Sequence, residues 1–177
     1  MITTKKLYFT CPSLTEGGLY FYDSKPIKLV SGNCRGICKS KDDIFYIMGN
    51  RLYSFGNKIV ELQSLAHDVK NDDFNNCIYV MLTENKKMQK ITYDGDVVNE
   101  ISFSSDCWPN CCLPVSDGIF VFLSKKRPYS KSKILFLDFS FHQIWSYNCF
   151  DNDEIHSPFF LDGYLYWCRS NWNGVVR

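Results

Sequence analysis

Residues 67–101 read HDVKNDDFNNCIYVMLTENKKMQKITYDGDVVNEI, and this stretch decides the fold. It contains a short run after His67, a strongly apolar run at 77–81, and two further β-forming runs at 90–93 and 97–101. Asp94-Gly95-Asp96 separates the last two runs, and such residues supply the positive φ angles of tight β-turns. Four short antiparallel strands in roughly 40 residues are typical of one blade of a β-propeller.

The same pattern recurs along the chain. Strong apolar strands begin near Ile44, Ile78, Ile119 and Tyr164, at steps of 34, 41 and 45 residues. Each follows a polar turn, and before each turn lies a short strand that opens with small or polar residues. This repeat predicts an all-β chain of four-stranded antiparallel blades, in which the first strand of each blade lines a central channel.

The strand count predicts a partial ring. Runs at 7–10, 19–22 and 27–30 read as the second to fourth strands of a first blade, three complete blades follow, and the tail supplies part of a fifth. The total is about eighteen strands, or about four and a half blades. We therefore expect one propeller domain over residues 1–177 that is incomplete, as part of a longer protein, or completed by oligomerisation through the open blade edge, since unpaired edges favour association.

One segment carries a competing pattern. Between Val60 and Lys70, apolar residues stand at helical spacing, i, i+3, i+4 and i+7. They are Leu62, Leu65, Ala66 and Val69. A short helix here is the main alternative to an all-β chain.

Composition excludes several classes of protein. Of 177 residues, 45% are hydrophobic and 16% aromatic, which suits a packed β-rich domain rather than a disordered chain. The net charge of +1 argues against nucleic acid or an anionic membrane as partner. No apolar stretch is long enough for a membrane span or a signal peptide, so we expect a cytoplasmic protein.

The nine cysteines are predicted to be reduced thiols. Their number is odd, and Cys34-x3-Cys38 and Cys107-x3-Cys111-Cys112 lack the paired spacing of structural zinc sites. Most lie in or beside apolar runs, where cysteine behaves as a small hydrophobic residue.

Six polar residues at the blade openings form the candidate site. They are Arg35, His67, Asp68, Asn110, His156 and Ser157. Each precedes its strong strand by a similar distance, so superposed blades would bring them to one mouth of the channel. Converging polar groups there can bind a small polar ligand or act as acid and base. Alternatively, they hydrogen-bond neighbouring blades and hold the openings together.

The blade openings resemble an uncharacterised bacterial family of six-bladed propellers. The resemblance lies in Ala66-His67-Asp68, in Trp108-Pro109-Asn110, in the stretch from Ile155 to Tyr166, and in the stretch from Glu16 to Asp23. In that family blades begin with His-Asp, His-x-Asn or His-Ser-Pro before an Asp-Gly turn; here Trp108 replaces the expected His. The resemblance implies a longer protein of which this chain is an N-terminal portion. It implies no activity, although the wider group includes gluconolactonase-like and strictosidine synthase-like proteins.

The sequence therefore predicts a ligand- or protein-binding propeller module, with no cofactor or resident metal. The alternative is a lactonase- or lyase-like enzyme with His67 or His156 as base, in which Asp68, Asn110 and Glu154 could hold a divalent cation. A basic segment from Lys125 to Lys133 predicts a solvated hairpin loop or a contact for an acidic partner. Phosphate-loop, dinucleotide-binding, serine-hydrolase and zincin motifs are absent from the sequence.

Overall fold

The computed structural model describes residues 7–13, 15–40, 43–55, 57–125, 131–149, 154–169 and 174–176. Within these ranges the chain forms eighteen β-strands and no helix. The strands make five antiparallel sheets, of which three have four strands and two have three. The predicted all-β class, the four-stranded unit and the strand total are confirmed.

The sheets follow one another along the chain. The first contains β1 (Leu7–Cys11), β2 (Gly18–Asp23) and β3 (Lys25–Ser31). The second contains β4 (Cys34–Lys39), β5 (Ile44–Met48), β6 (Arg51–Ser54) and β7 (Asn57–Glu61). The third contains β8 (Asp68–Asp72), β9 (Cys77–Leu82), β10 (Lys87–Thr92) and β11 (Val97–Ser102). The fourth contains β12 (Cys107–Val115), β13 (Gly118–Lys125), β14 (Lys133–Leu137) and β15 (Gln143–Asn148). The fifth contains β16 (Ile155–Leu161), β17 (Tyr164–Arg169) and β18 (Gly174–Val176).

Hairpin turns set this simple order. Gly95 between β10 and β11 has φ 102°, and Gly163 between β16 and β17 has φ 81°. Both angles lie in a region that residues with a Cβ rarely adopt, so glycine is the residue that these turns require. The Asp-Gly pairs noted in the sequence therefore mark real strand reversals, and consecutive strands pair within each sheet.

The central strand β9 shows how the sheets are held together. All six of its residues are buried. Tyr79 and Met81 join a core cluster with the fourth sheet, whereas Ile78 and Val80 join one with the second. Because successive side chains of a strand point to opposite faces, the third sheet buries apolar groups on both sides. The core of this chain is thus a series of layers between sheets.

The innermost strands of successive sheets also meet. β4, β8, β12 and β16 contact one another in chain order, as expected for the first strands of propeller blades. Gly36 makes the closest approach, since a Cβ at this position would lie 2.7 Å from the Val69 nitrogen and 2.8 Å from the Asp68 Cα. A side chain on residue 36 would push β4 away from the start of β8, which is where the candidate site begins.

The helical alternative for residues 60–70 is wrong. β7 runs to Glu61, β8 starts at Asp68, and the residues between them form an irregular connection. The backbone N–H of Leu62 donates to the Asn50 carbonyl at 2.8 Å, so the connection is fixed to the β5–β6 turn. Leu62 and Ala66 insert into the core between the second and third sheets, while Leu65 points outwards. Tertiary burial, and not helical periodicity, explains the apolar spacing.

The end sheets leave apolar faces open. All six residues of β15 are exposed, including Trp145 at 46% and Tyr147 at 38%. A groove of about 560 Å³ lies between the fourth and fifth sheets and is lined mainly by aromatic residues, among them Phe120, Phe136, Trp145 and Trp167. On the end sheets, Leu7 and Tyr22 of the first and Phe159 and Leu161 of the fifth are also exposed. Layered packing therefore stops at both ends of the described chain.

Two leucines test the local fold of this connection. Leu62 is 4% exposed and Leu65 is 46% exposed, although a helix would place both on one buried face. We expect Leu62→Ala to lower the free energy of unfolding by about 2–4 kcal/mol, because it leaves a cavity in the core. The matched control Leu65→Ala should cost less than about 1 kcal/mol. If urea denaturation shows equal losses of unfolding free energy for the two variants, the irregular connection would be contradicted and a helix would be favoured.

Candidate functional site

The site residues stand at the beginnings of the inner strands. Asp68 is the first residue of β8, directly after His67, and His156 is the second residue of β16. In three of the four inner strands the pairing register shifts at a predicted site residue: at Arg35 in β4, at Asn110 in β12 and at Ser157 in β16. A bulge redirects a side chain relative to its sheet, so these shifts control where the polar groups point.

Five of the six predicted residues border one cavity of about 120 Å³. Its lining is His67, Asp68, Lys70, Asn110, Cys111, His156, Ser157 and Pro158. These residues come from the third, fourth and fifth sheets. Arg35 does not line this cavity. It lies one sheet earlier, in the β4 bulge, with its side chain exposed to solvent.

His67 connects the third sheet to the fourth. Its ring Nδ1 lies 3.1 Å from the Asn110 backbone carbonyl oxygen, and because a carbonyl only accepts, Nδ1 must carry the proton. The Asn110 side chain is buried and donates from Nδ2 to Ser124 Oγ at 2.6 Å. These bonds match the alternative in which polar groups hold blade openings together. They also fix the tautomer of a neutral His67 and leave its Nε2 as an acceptor.

Asp68 forms a buried ion pair with Lys70. Lys70 Nζ donates to Asp68 Oδ1 at 3.1 Å, and the two side chains are 31% and 12% exposed, respectively. Asp68 Oδ2 is buried and has no hydrogen-bond partner in the described structure. One carboxylate oxygen at the cavity wall is thus satisfied and the other is not.

Burial and pairing act against each other in this ion pair. Burial raises the pKa of Asp68 above its ordinary value, although Lys70 opposes the shift. Burial also acts to lower the pKa of Lys70, but the Asp68 carboxylate outweighs it and the net shift is upwards. The asymmetry follows from depth, because the carboxylate is less exposed than the ammonium. Lys70 therefore remains a cation at neutral pH and is unsuited to act as an amine nucleophile.

The fifth sheet contributes a neutral imidazole and a strained turn. Burial, and secondarily the nearby His67, lower the pKa of His156 below its ordinary value of 6.5. The next residue, Ser157, has φ 50°, which is unusual for a residue with a Cβ. Its backbone N–H favours the thiolate of Cys111, but burial dominates and raises the pKa of that thiol. Cys111 is therefore a protonated wall residue and not a nucleophile.

Sequence reasoning missed Lys70, Cys111 and Pro158. For Lys70 a signal was available, because residues i and i+2 of a strand share a face and Asp68 was already a candidate. Trp108, which replaces an expected histidine, does not line the cavity; it is 41% exposed, with Lys86 Nζ 6.0 Å from its ring centroid.

Other predicted features have separate outcomes. The described residues contain no group of three or more His, Cys, Asp or Glu side chains placed to hold a metal ion. All nine cysteines are free thiols, and six of them are buried. The basic segment does fall between β13 and β14, but its residues 126–130 lie outside the described residues. In the part of the chain that is described, no helix meets the length and hydropathy of a membrane span.

Comparisons with known proteins identify the fold. No family model and no curated protein matches the sequence. Similar solved structures include a Lactobacillus plantarum protein (13% identity, TM-score 0.71, 93% of this chain and 59% of that one) and the WD40 β-propeller domain of Doa1 (11%, 0.69, 100% and 66%). A catalytically inactive virginiamycin B lyase from Staphylococcus aureus with quinupristin is also similar (15%, 0.68, 99% and 67%).

These similarities establish a β-propeller fold. Identities of 11% to 15% carry no information about shared chemistry, and the named structures include both a lyase and a WD40 domain. The chain spans 59% to 67% of the length of the three structures. This agrees with the predicted partial ring.

The position of His156 predicts a measurable pH dependence. Its pKa in the folded protein is below 6.5, so its NMR titration should have a midpoint below that value, and His67→Asn should move the midpoint upwards by removing the second cause of the shift. Because the unfolded chain binds the proton more readily, stability should fall as pH drops below about 6.5. His156→Gln should weaken that fall. A midpoint at or above 6.5 would show that the ring is not buried as described.

Proposed function

We propose that this β-propeller module binds a small polar ligand in the cavity at the openings of β8, β12 and β16. His67, Asp68, Asn110, His156 and Ser157 are the predicted contacts, joined by Lys70. The observation that carries the proposal is Asp68 Oδ2, a buried carboxylate oxygen without a hydrogen-bond partner in the described structure. An unsatisfied buried acceptor is unfavourable, and a ligand N–H or O–H would remove that cost.

Rigidity of the surroundings also favours binding. The cavity wall combines residues from three sheets, and the His67–Asn110 and Asn110–Ser124 hydrogen bonds hold part of it before any ligand arrives. A preformed site loses little conformational freedom on binding. The structural role of these bonds and a binding role are therefore compatible, since neither bond uses Asp68 Oδ2 or Lys70.

A panel of small polar compounds tests the proposal. We expect at least one to raise the melting temperature and to shift the backbone amide resonances of Asp68, Lys70 and Ser157. The double variant His67→Ala, His156→Ala should weaken that binding by about thirtyfold, since each ring offers a hydrogen bond of about 1 kcal/mol. His142→Ala is the matched control, because His142 is exposed and bonds only within its own turn, to Asp138.

The outcomes of this experiment separate the functions. Binding that needs the two histidines, without conversion of the ligand, supports a binding module. Slow chemical conversion lost with His156 would instead support the lyase-like alternative, in which the neutral imidazole accepts a proton. If the folded double variant binds as well as the native protein, the cavity is not the site.

The open faces favour a second function, association with another copy. Exposed apolar side chains occur on both end sheets, at Leu7 and Tyr22 on the first, and at Phe159 and Leu161 on the fifth. A propeller sheet normally buries both faces, and two different open faces on one chain can cover each other head to tail. Such contact would also protect the sheet edges at the ends of the arc.

Light scattering on a sizing column measures this association. We expect a discrete multiple of 20.7 kDa for the native chain. Phe159→Lys should shift the population towards the monomer by placing a charge in the apolar contact. Phe74→Lys is the matched control, because Phe74 is 77% exposed in the β8–β9 turn, away from both faces. A folded native monomer at all concentrations would rule out self-association.

A further inference from the structure

One carboxylate oxygen of the Asp68–Lys70 ion pair in the cavity has no hydrogen-bond partner in the described structure. Lys70 Nζ bonds Asp68 Oδ1 at 3.1 Å and leaves Oδ2 of the same carboxylate buried without a partner in the described structure. Asp68 is 8% exposed, so water reaches this group poorly. An ammonium group carries three protons, so Lys70 has N–H donors beyond the one directed at Asp68. The wall therefore presents an unpaired acceptor, Asp68 Oδ2, next to a charged donor, Lys70 Nζ.

We propose that the cavity takes a compact zwitterion, a short α-amino acid, with its ammonium on Asp68 Oδ2 and its carboxylate on Lys70 Nζ. This inference rests on the proposed binding function and names the class of ligand. In an α-amino acid the nitrogen and the nearer carboxylate oxygen are about 3 Å apart. Lys70 Nζ is bonded to the same carboxylate through Oδ1, so the free acceptor and the donor belong to one ion pair that a short ligand can contact at both ends.

Charge balance favours a zwitterion over either single ion. A simple amine would gain from Asp68 but would be repelled by the Lys70 ammonium nearby, and a simple carboxylate would meet the opposite problem. A ligand with both charges places each one beside its opposite, and hydrogen bonds between charged groups are the strong ones. The other residues that line the cavity add no second carboxylate and no second ammonium to upset this balance.

The size of the cavity limits the ligand. A volume of about 120 Å³ suits a compact ligand. Glycine, alanine and serine are of suitable size, and Pro158 and Cys111 complete the wall around them. The short, uncharged amino acids are therefore the class to test.

The test uses matched probes on the whole chain. Glycine, L-alanine and L-serine are compared by calorimetry with ethylamine, propionate and glycerol, which carry one charge or none. We expect at least one amino acid to bind about tenfold more tightly than any of the three controls, because each charged hydrogen bond contributes more than 1 kcal/mol. Asp68→Asn and Lys70→Gln should each lose that preference. Lys70→Arg should retain part of it, and the exposed-turn variant Asp117→Asn should leave it unchanged.

Failure of this inference is distinguishable from failure of the binding function. Ethylamine, propionate or glycerol binding as tightly as the amino acids would overturn the zwitterion and leave a polar cavity site. The same holds if only another compound of the polar panel binds. If no compound binds, both proposals fall. If a variant unfolds, the native protein still tests the inference through the backbone amide NMR resonances of Asp68 and Lys70. An amino acid that binds without shifting these resonances would overturn the inference.

Discussion

Burial of both faces of each sheet is the constraint on which this structure depends. A strand such as β9, buried at all six positions, is stable only between two neighbours, one for Tyr79 and one for Ile78. Each sheet therefore requires the next, and the chain grows as a curved series of layers and not around one central core. This requirement is met at Gly36, where the inner strands pack closely. It is not met beside β15, where an aromatic groove remains open.

The polar cavity is a local exception to this apolar packing. The inner strands begin with polar residues, and register shifts in β12 and β16 turn Asn110 and Ser157 out of regular pairing. Some of these groups satisfy one another across sheets, as His67 does with the Asn110 carbonyl. Asp68 does not, and its pairing with Lys70 through a single oxygen leaves the opening chemically incomplete. The groups that hold the sheets together and the unpaired carboxylate oxygen are thus different atoms of the same cluster.

Much of the fold was predictable because its signals are local. Alternating or continuous apolar runs and turn pairs such as Asp94-Gly95 mark strands wherever they occur, and their spacing reveals the blade. The site was predictable only as a set of equivalent positions. Bulges depend on pairing between strands and leave no pattern in a single segment, so Arg35 was grouped with residues that it does not join. The connection at Leu62 was ambiguous for a related reason, since burial against another sheet and helical periodicity produce the same spacing.

The buried cysteines have a consequence for how the molecule can be observed. Thiols occur in every sheet, and burial raises the pKa of Cys34, Cys77 and Cys107, in the second, third and fourth sheets. The thiolate is the form that reacts with alkylating agents, so each of these sulfurs is protected while its layer stays closed. Their labelling rates would record the opening of individual layers, sheet by sheet. The native cysteines can therefore serve as probes of local opening in each sheet of the propeller.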